Sequence, residues 1–240
     1  MGNAGEPYWK FRKPKSDSKT IVNPVETDEF DSSKLGMQWQ WQNDYKESYG
    51  QATSMGFFRL FTYALPELGD VSNLWYVPNM LLQKTPADEF TATTKLSFCS
   101  RNSDQYVGLV CMSAEYSSVG LQRTEDGYEL QIRHNPNAMR TYLTDEVLTV
   151  DTLKPTQKGT PRKGRPAEMH IKDVYLRMSI KDSKVNYAYS IDGKKWKKAG
   201  GEYAMGKGRW IGSKIGFFAV DPNKTGRKGF IDIDWFRISR

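Results

Sequence analysis

Beyond residue 28, apolar and polar positions alternate with a period of two along most of the chain. Val185, Tyr187, Tyr189 and Ile191 fall on one side of such a segment, with Asn186, Ala188 and Ser190 on the other. Tyr128, Leu130 and Ile132 oppose Glu129, Gln131 and Arg133 in the same way. A period of two puts successive side chains on opposite faces of a strand, so each segment offers one face to a core and one to water. The pattern predicts strands over 35–42, 56–63, 80–84, 90–99, 106–113, 118–124, 128–134, 141–149, 174–180, 185–191, 211–220 and 229–238, with no amphipathic helix between them. Glu125-Asp126-Gly127 and Ile191-Asp192-Gly193 supply Asp-Gly turns, in which glycine accepts the positive φ that a tight hairpin requires. Many short strands joined by turn-length connections predict an all-β fold, a two-sheet antiparallel β-sandwich or jelly roll.

The ends of the pattern set the organisation. Residues 1–27 carry Pro7, Pro14 and Pro24 among basic side chains and read as an extended connector, leaving 28–240 as one sandwich domain. The basic, proline-bearing stretch 154–166 reads as a long surface loop. A chain of 240 residues can bury a full core, and its 7 Trp, 13 Tyr and 11 Phe suit pleated faces. No apolar run is long enough for a membrane span, and residues 1–30 carry charges where a signal peptide needs an apolar centre.

The net charge of +7 comes largely from Arg162, Lys163, Arg165, Lys194, Lys195, Lys197, Lys198, Arg227 and Lys228, which sit in separate turn-like settings. A nucleic-acid binder concentrates such charge on one face, so these positions read as solvated loop tips, with polyanion binding through the loops as an alternative. Pairing of 91–99 with 106–113 around residues 100–105 would set Cys99 opposite Tyr106 and leave Cys111 about five positions along. At ~3.3 Å per residue that exceeds the ~4.4 to 6.8 Å a disulfide tolerates, which predicts free, buried thiols.

Candidate chemistry is sparse. His134 and His170 are the only histidines, which rules out a His-rich metal centre, and neither has an evident partner. Serine-hydrolase, zinc-protease, phosphate-loop and dinucleotide motifs are absent. Asp232 and Asp234 share a strand face opposite Ile231, Ile233 and Trp235, ~7 Å apart at the backbone, which leaves a stand-alone glycosidase or lyase as an alternative. Asp28 and Asp31 ahead of the first strand and Asp234 in the last offer oxygen ligands for a structural Ca²⁺; no other cofactor is required. Sugar binding needs flat aromatic faces beside polar groups. Trp39 and Trp41 alternate with Gln38, Gln40 and Gln42 and read as a core pair, whereas Trp75, Tyr76 and Trp210 sit in loops or at a rim and are the carbohydrate-binding candidates.

An ordered set of short motifs supports a family resemblance. Leu35-Gly36-Met37-Gln38-Trp39-Gln40-Trp41-Gln42-Asn43, Phe58-Arg59-Leu60, Asn79-Met80-Leu81-Leu82-Gln83-Lys84, Ala92-Thr93-Thr94-Lys95-Leu96 and Ser118-Val119-Gly120-Leu121 occur in order. They are followed by Tyr189-Ser190-Ile191-Asp192-Gly193, Trp210-Ile211-Gly212-Ser213-Lys214-Ile215-Gly216-Phe217-Phe218-Ala219 and Asp234-Trp235-Phe236. Over residues 27–240 the chain resembles the C-terminal concanavalin A-like domain of family 43 glycoside hydrolases of the β-xylosidase and arabinofuranosidase type. The resemblance implies a non-catalytic accessory module in hemicellulose degradation, partnered by a five-bladed catalytic propeller and a plant-type polysaccharide or oligosaccharide; the scattered charge and short apolar runs lead to the expectation of no nucleic-acid or membrane partner. It also implies a secreted or periplasmic setting. The family's catalytic carboxylates lie in the propeller, so no position here inherits them. In some such xylosidases an aromatic loop residue reaches the active-site rim; the segment 66–79, with Trp75 and Tyr76, is the candidate here.

Overall fold

Alternating segments of this kind bury their apolar faces by pairing into sheets and stacking, and a computed structural model shows two sheets face to face. It describes residues 12, 14–15, 23–65, 73–140, 143–163, 165–208, 210, 212–224 and 226–240. The first sheet runs β1 (Gln40–Trp41), β5 (Leu81–Lys84), β15 (Lys214–Asp221), β7 (Tyr106–Met112), β8 (Tyr116–Arg123), β9 (Tyr128–Asn135) and β10 (Glu146–Leu153), and β4 (Tyr63–Ala64) joins β15 in parallel. The second runs β14 (Lys197–Ala204), β13 (Lys184–Ser190), β12 (Met169–Lys181), β6 (Phe90–Ser100), β16 (Phe230–Ser239), β3 (Phe58–Phe61) and β2 (Gly50–Ala52), with β11 (Gln157–Lys158) on β12. Every pairing except that of β4 is antiparallel. Among the described residues the helical content is one 3₁₀ turn, Leu74–Tyr76, so no helix there is long and apolar enough to cross a membrane.

Burial separates the two sheets. Between them lies the main core, fed by Phe98 and Leu96 of β6, Met178 and Leu176 of β12, Phe217 and Ile215 of β15 and Leu121 and Val119 of β8. The first sheet is also covered outside, where Tyr106, Val110, Met112, Phe218 and Val220 pack under Leu74, Val77, Met80 and Ala138. With both faces dry, β7 and β15 are buried at every position, and their sequences show no clean alternation. The second sheet has one wet face, so β6 and β12 keep the buried–intermediate alternation legible in their sequences.

Several expected elements are corrected. The strands at 90–100 and 106–112 form no hairpin: β6 pairs with β12 and β16, and β7 with β15 and β8. The segment between them crosses the sandwich. Gln105 Oε1 accepts the Arg101 amide at 2.9 Å, its Nε2 donates to Asp221 Oδ2 at 3.1 Å, and Asp104 takes a positive φ of 63°. A short polar stretch serves a crossing arch as well as a hairpin, so sequence alone did not separate them. Cys99 and Cys111 are nonetheless free and buried.

The expected strand 35–42 is reduced to Gln40–Trp41, because the chain turns at Gly36, whose carbonyl accepts the Trp39 amide at 3.2 Å. Strand 56–63 divides at Thr62 into β3 and β4, one in each sheet. The strand expected at 141–149 lies at 146–153, with residues 141–142 outside the described set. Ile191 is exposed in a turn and does not join Val185, Tyr187 and Tyr189 in the core. In β16 a bulge at Asp234 reverses the face: Ile231, Ile233 and Phe236 point inward, and Trp235 points out against Arg237, whose guanidinium lies 4.2 Å from the ring centre. The described residues of the stretch 154–166 are mostly exposed loop apart from β11 and a bridge between Arg162 and Arg165. Of the connector, the described residues nearest the domain are engaged with it, since Glu26 O accepts Gln83 Nε2 at 3.0 Å and Thr27 Oγ1 accepts the Ile238 amide at 3.1 Å.

Candidate functional site

Two regions carry the remaining chemistry. One is the wet outer face of the second sheet. Arg59 grips Asp232 through both guanidinium arms, at 2.6 and 2.8 Å, and lies 3.9 Å over the Phe230 ring. Lys95 holds Asp234 at 2.6 Å and Asp173 at 2.9 Å; its pKa is raised, first by the hydrogen bond to Asp234. Asp232 and Asp234 do line one shallow cleft of about 190 Å³, together with Ser97, Cys99 and His170. Each aspartate is already engaged by a cation, Asp232 by Arg59 and Asp234 by Lys95.

The same face brings together three residues that sequence reasoning did not connect. Cys99 of β6 stands opposite His170 of β12, and its Sγ lies 3.4 Å from His170 Nε2. Glu168 Oε1 lies 2.9 Å from that nitrogen, while Arg101 Nε donates to Glu168 Oε2 at 2.7 Å. Burial pushes the Cys99 thiol up to about 12, so in this state it is neutral and not a nucleophile. His134 also has acidic partners, with Nδ1 3.1 Å from Glu146 and Nε2 3.1 Å from Glu115. Both histidines therefore correct the expectation that they lack partners.

The second region is one end of the first sheet, where loops cluster. Buried Asn73 starts the 3₁₀ turn by accepting the Trp75 amide at 3.0 Å, and its Nδ2 donates to Ala138 O at 3.0 Å. Tyr76 Oη donates to Met139 O at 3.4 Å, and Gln42 Nε2 donates to Trp75 O at 3.3 Å. Met139 also lines a cleft of about 780 Å³, together with Asn137, Glu115 and the Gly206–Gly208 segment. Trp210 follows that segment and is 87% exposed, in a loop and not at the start of a strand. Trp75 and Tyr76 are half-buried, which leaves Trp210 as the exposed one of the three carbohydrate candidates. Residues 66–72 of the candidate rim loop lie outside the described residues.

The tryptophan pair divides as its strand does. Trp39 is buried, stacked on Phe30 at 5.6 Å and edge-on to Phe236 at 5.3 Å; Trp41 is half-buried against Tyr45, Tyr49 and Phe58. Asp28 serves Trp39: its Oδ2 accepts the indole N–H at 2.7 Å and Gln38 Nε2 at 3.3 Å, while Oδ1 accepts the Phe30 amide at 2.9 Å. Asp31 is exposed, and Asp234 sits with Lys95. Among the described residues, the one group of three ligand-type side chains with converging atoms is Cys99, Glu168 and His170.

Two facing sheets of this order, with the outer face of one capped by loops, define a concanavalin A-like β-sandwich. The chain belongs to the family of beta-xylosidase C-terminal concanavalin A-like domains, which it matches over residues 27–239. It is 25% identical to a beta-xylosidase of Formosa agariphila over 249 aligned residues, covering 97% of this chain and 38% of that protein. The crystal structure of the GH43 BlXynB protein from Bacillus licheniformis superposes with a TM-score of 0.68 at 23% identity, over 92% of this chain and 40% of that one. A bifunctional GH43-CE protein of Bacteroides eggerthii gives a TM-score of 0.71 at 20% identity, over 93% and 27%. The chain thus spans about two fifths or less of these proteins.

Proposed function

We propose that this chain is a non-catalytic module that supports the catalytic propeller of a family 43 glycoside hydrolase acting on xylan- or arabinoxylan-type hemicellulose, and that its loop end contacts glycan weakly. The observation that carries the reading is the span of the likeness: the match takes in 97% of this chain but 38% of the Formosa beta-xylosidase, leaving most of that enzyme outside it. The ion pairs of Asp232 with Arg59 and Asp234 with Lys95 support it, since they engage the carboxylates a sandwich hydrolase would use. Trp210 supports the glycan contact, being a flat, exposed aromatic that follows in sequence the Gly206–Gly208 segment lining the cleft. An exported setting rests on the family alone.

Incubated alone with xylo-oligosaccharides, arabinoxylo-oligosaccharides and aryl xylosides, the chain is expected to release no sugar. Release that disappears in the Asp232→Asn, Asp234→Asn double variant would establish the stand-alone hydrolase instead. On xylan affinity gels the chain should be weakly retarded and Trp210→Ala should migrate freely; equal retardation of the variant would remove Trp210 from the account.

A further inference from the structure

The trio on the wet face of the second sheet has a geometry that neither the accessory role nor the fold requires. Strand pairing sets Cys99 beside His170, and Glu168, two residues before His170, projects to the same side. Sγ, Nε2 and a carboxylate oxygen of the three all lie within 4.8 Å of one another. We infer that Cys99, Glu168 and His170 form a binding site for a thiophilic divalent cation, with zinc as the ion that fits.

The spacing is the first argument. A tetrahedral centre with Zn–S of about 2.3 Å and Zn–N and Zn–O of about 2.0 to 2.2 Å holds its ligand atoms about 3.3 to 3.6 Å apart. Here Sγ–Nε2 is 3.4 Å and Nε2–Oε1 is 2.9 Å, so small side-chain shifts admit the ion.

The second argument excludes a nucleophilic relay. In a Cys-His-acid relay the thiol and the carboxylate address different imidazole nitrogens. Here both face Nε2, so the three groups converge on a single point. Third, sulfur and imidazole select a borderline or soft ion, whereas calcium and magnesium take oxygen ligands.

The surroundings suit the ion as well. Arg101 binds Glu168 Oε2 and fixes the carboxylate so that Oε1 stays aimed inward. The cleft lined by Ser97, Cys99 and His170 opens beside the site and admits water to a fourth position. On binding, the metal forms bonds to Sγ, Nε2 and a Glu168 oxygen; the Cys99 thiol proton leaves to solvent, and the proton Nε2 donates to Glu168 is given up, leaving a neutral imidazole protonated at Nδ1.

Titration of the reduced chain with Co²⁺ is expected to produce, at one equivalent, a near-ultraviolet sulfur-to-cobalt charge-transfer band that zinc abolishes. Cys99→Ser should lose the band, and Cys111→Ser, which alters the other buried thiol, should retain it. Glu168→Gln and His170→Gln should weaken zinc binding by more than the ~10 to 100-fold that outer-shell changes cost. At about 100 times its dissociation constant, zinc should raise the thermal midpoint by ~5 to 10 °C, reversed by EDTA. Absence of the band in the unsubstituted chain overturns the inference whatever the variants do. So does a band lost in Cys111→Ser but kept in Cys99→Ser, or zinc affinity unchanged in both Glu168→Gln and His170→Gln.

Discussion

Trp39 shows how one residue joins sequence, packing and chain-end geometry. Its indole fills space between the sheets against Phe30, Phe217 and Phe236, and its N–H satisfies Asp28, whose backbone bridges to Phe236 in the last strand. Trp39→Ala therefore leaves a large cavity and a carboxylate without its indole donor. The cost should be ~3 to 5 kcal/mol, read as a fall in the thermal midpoint of ~6 to 20 °C. A fall of a degree or two would mean that Trp39 is not a core anchor. That Trp39 is core was legible in its sequence, because a tryptophan between polar neighbours has one dry side to choose. Its partnership with Asp28 was not, since nothing in the spacing joins an aspartate ahead of the strand to an indole nitrogen.

Among elements, β6, β7 and β13 lie within about a residue of their expected bounds whether one face or both are dry, whereas β12 begins five residues before the expected 174 and β15 three residues after the expected 211. β13 and the part of β12 after Asp173 follow their alternation closely. β14 was missed because Lys197 and Lys198 read as turn residues. In the structure the lysines suit an edge strand, and Gly200, at φ of +70°, supplies the bulge that brings Ala199 into the core. The metal-ligand trio was illegible for a different reason, since it depends on the register of β6 against β12, 71 residues apart. The candidate aromatics Trp75, Tyr76 and Trp210 were legible as loop residues, but the contact of Tyr76 with Met139 was not. The β12–β13 hairpin carries a prediction of its own. Asp182 and Ser183 form its two-residue turn, with positive φ at both, 50° and 57°, a conformation that costs a residue with a Cβ. Ser183→Gly is expected to stabilise the chain by about 1 kcal/mol, raising the midpoint by ~2 to 4 °C. A lower midpoint would show that the glycine's added freedom in the unfolded chain outweighs the relieved strain.

For the whole molecule, charge contributes where chain ends and loops meet the sheets. The Arg237 hydrogen bond lowers the pKa of Glu29, Tyr189 lowers that of Asp151, and the Lys195 and Lys194 amides lower that of Asp192 from 3.8 to about 2. Folded values below the unfolded ones give stability that is complete above the unfolded values, about pH 4.5 and 3.8, and is lost as pH falls through the folded ones. Asp145 acts oppositely, since burial raises its pKa. The midpoint of urea unfolding should therefore fall steadily from pH 4.5 to pH 2, and a flat profile across that window would contradict these assignments.

The central claim is that the sandwich works through a neighbouring propeller. Thermal unfolding of a family 43 propeller, measured with and without this chain joined behind it, tests that most directly. The account predicts a higher propeller midpoint in the joined protein and a change in KM for longer xylo-oligosaccharides. Identical midpoints and identical kinetics in the two proteins would contradict it.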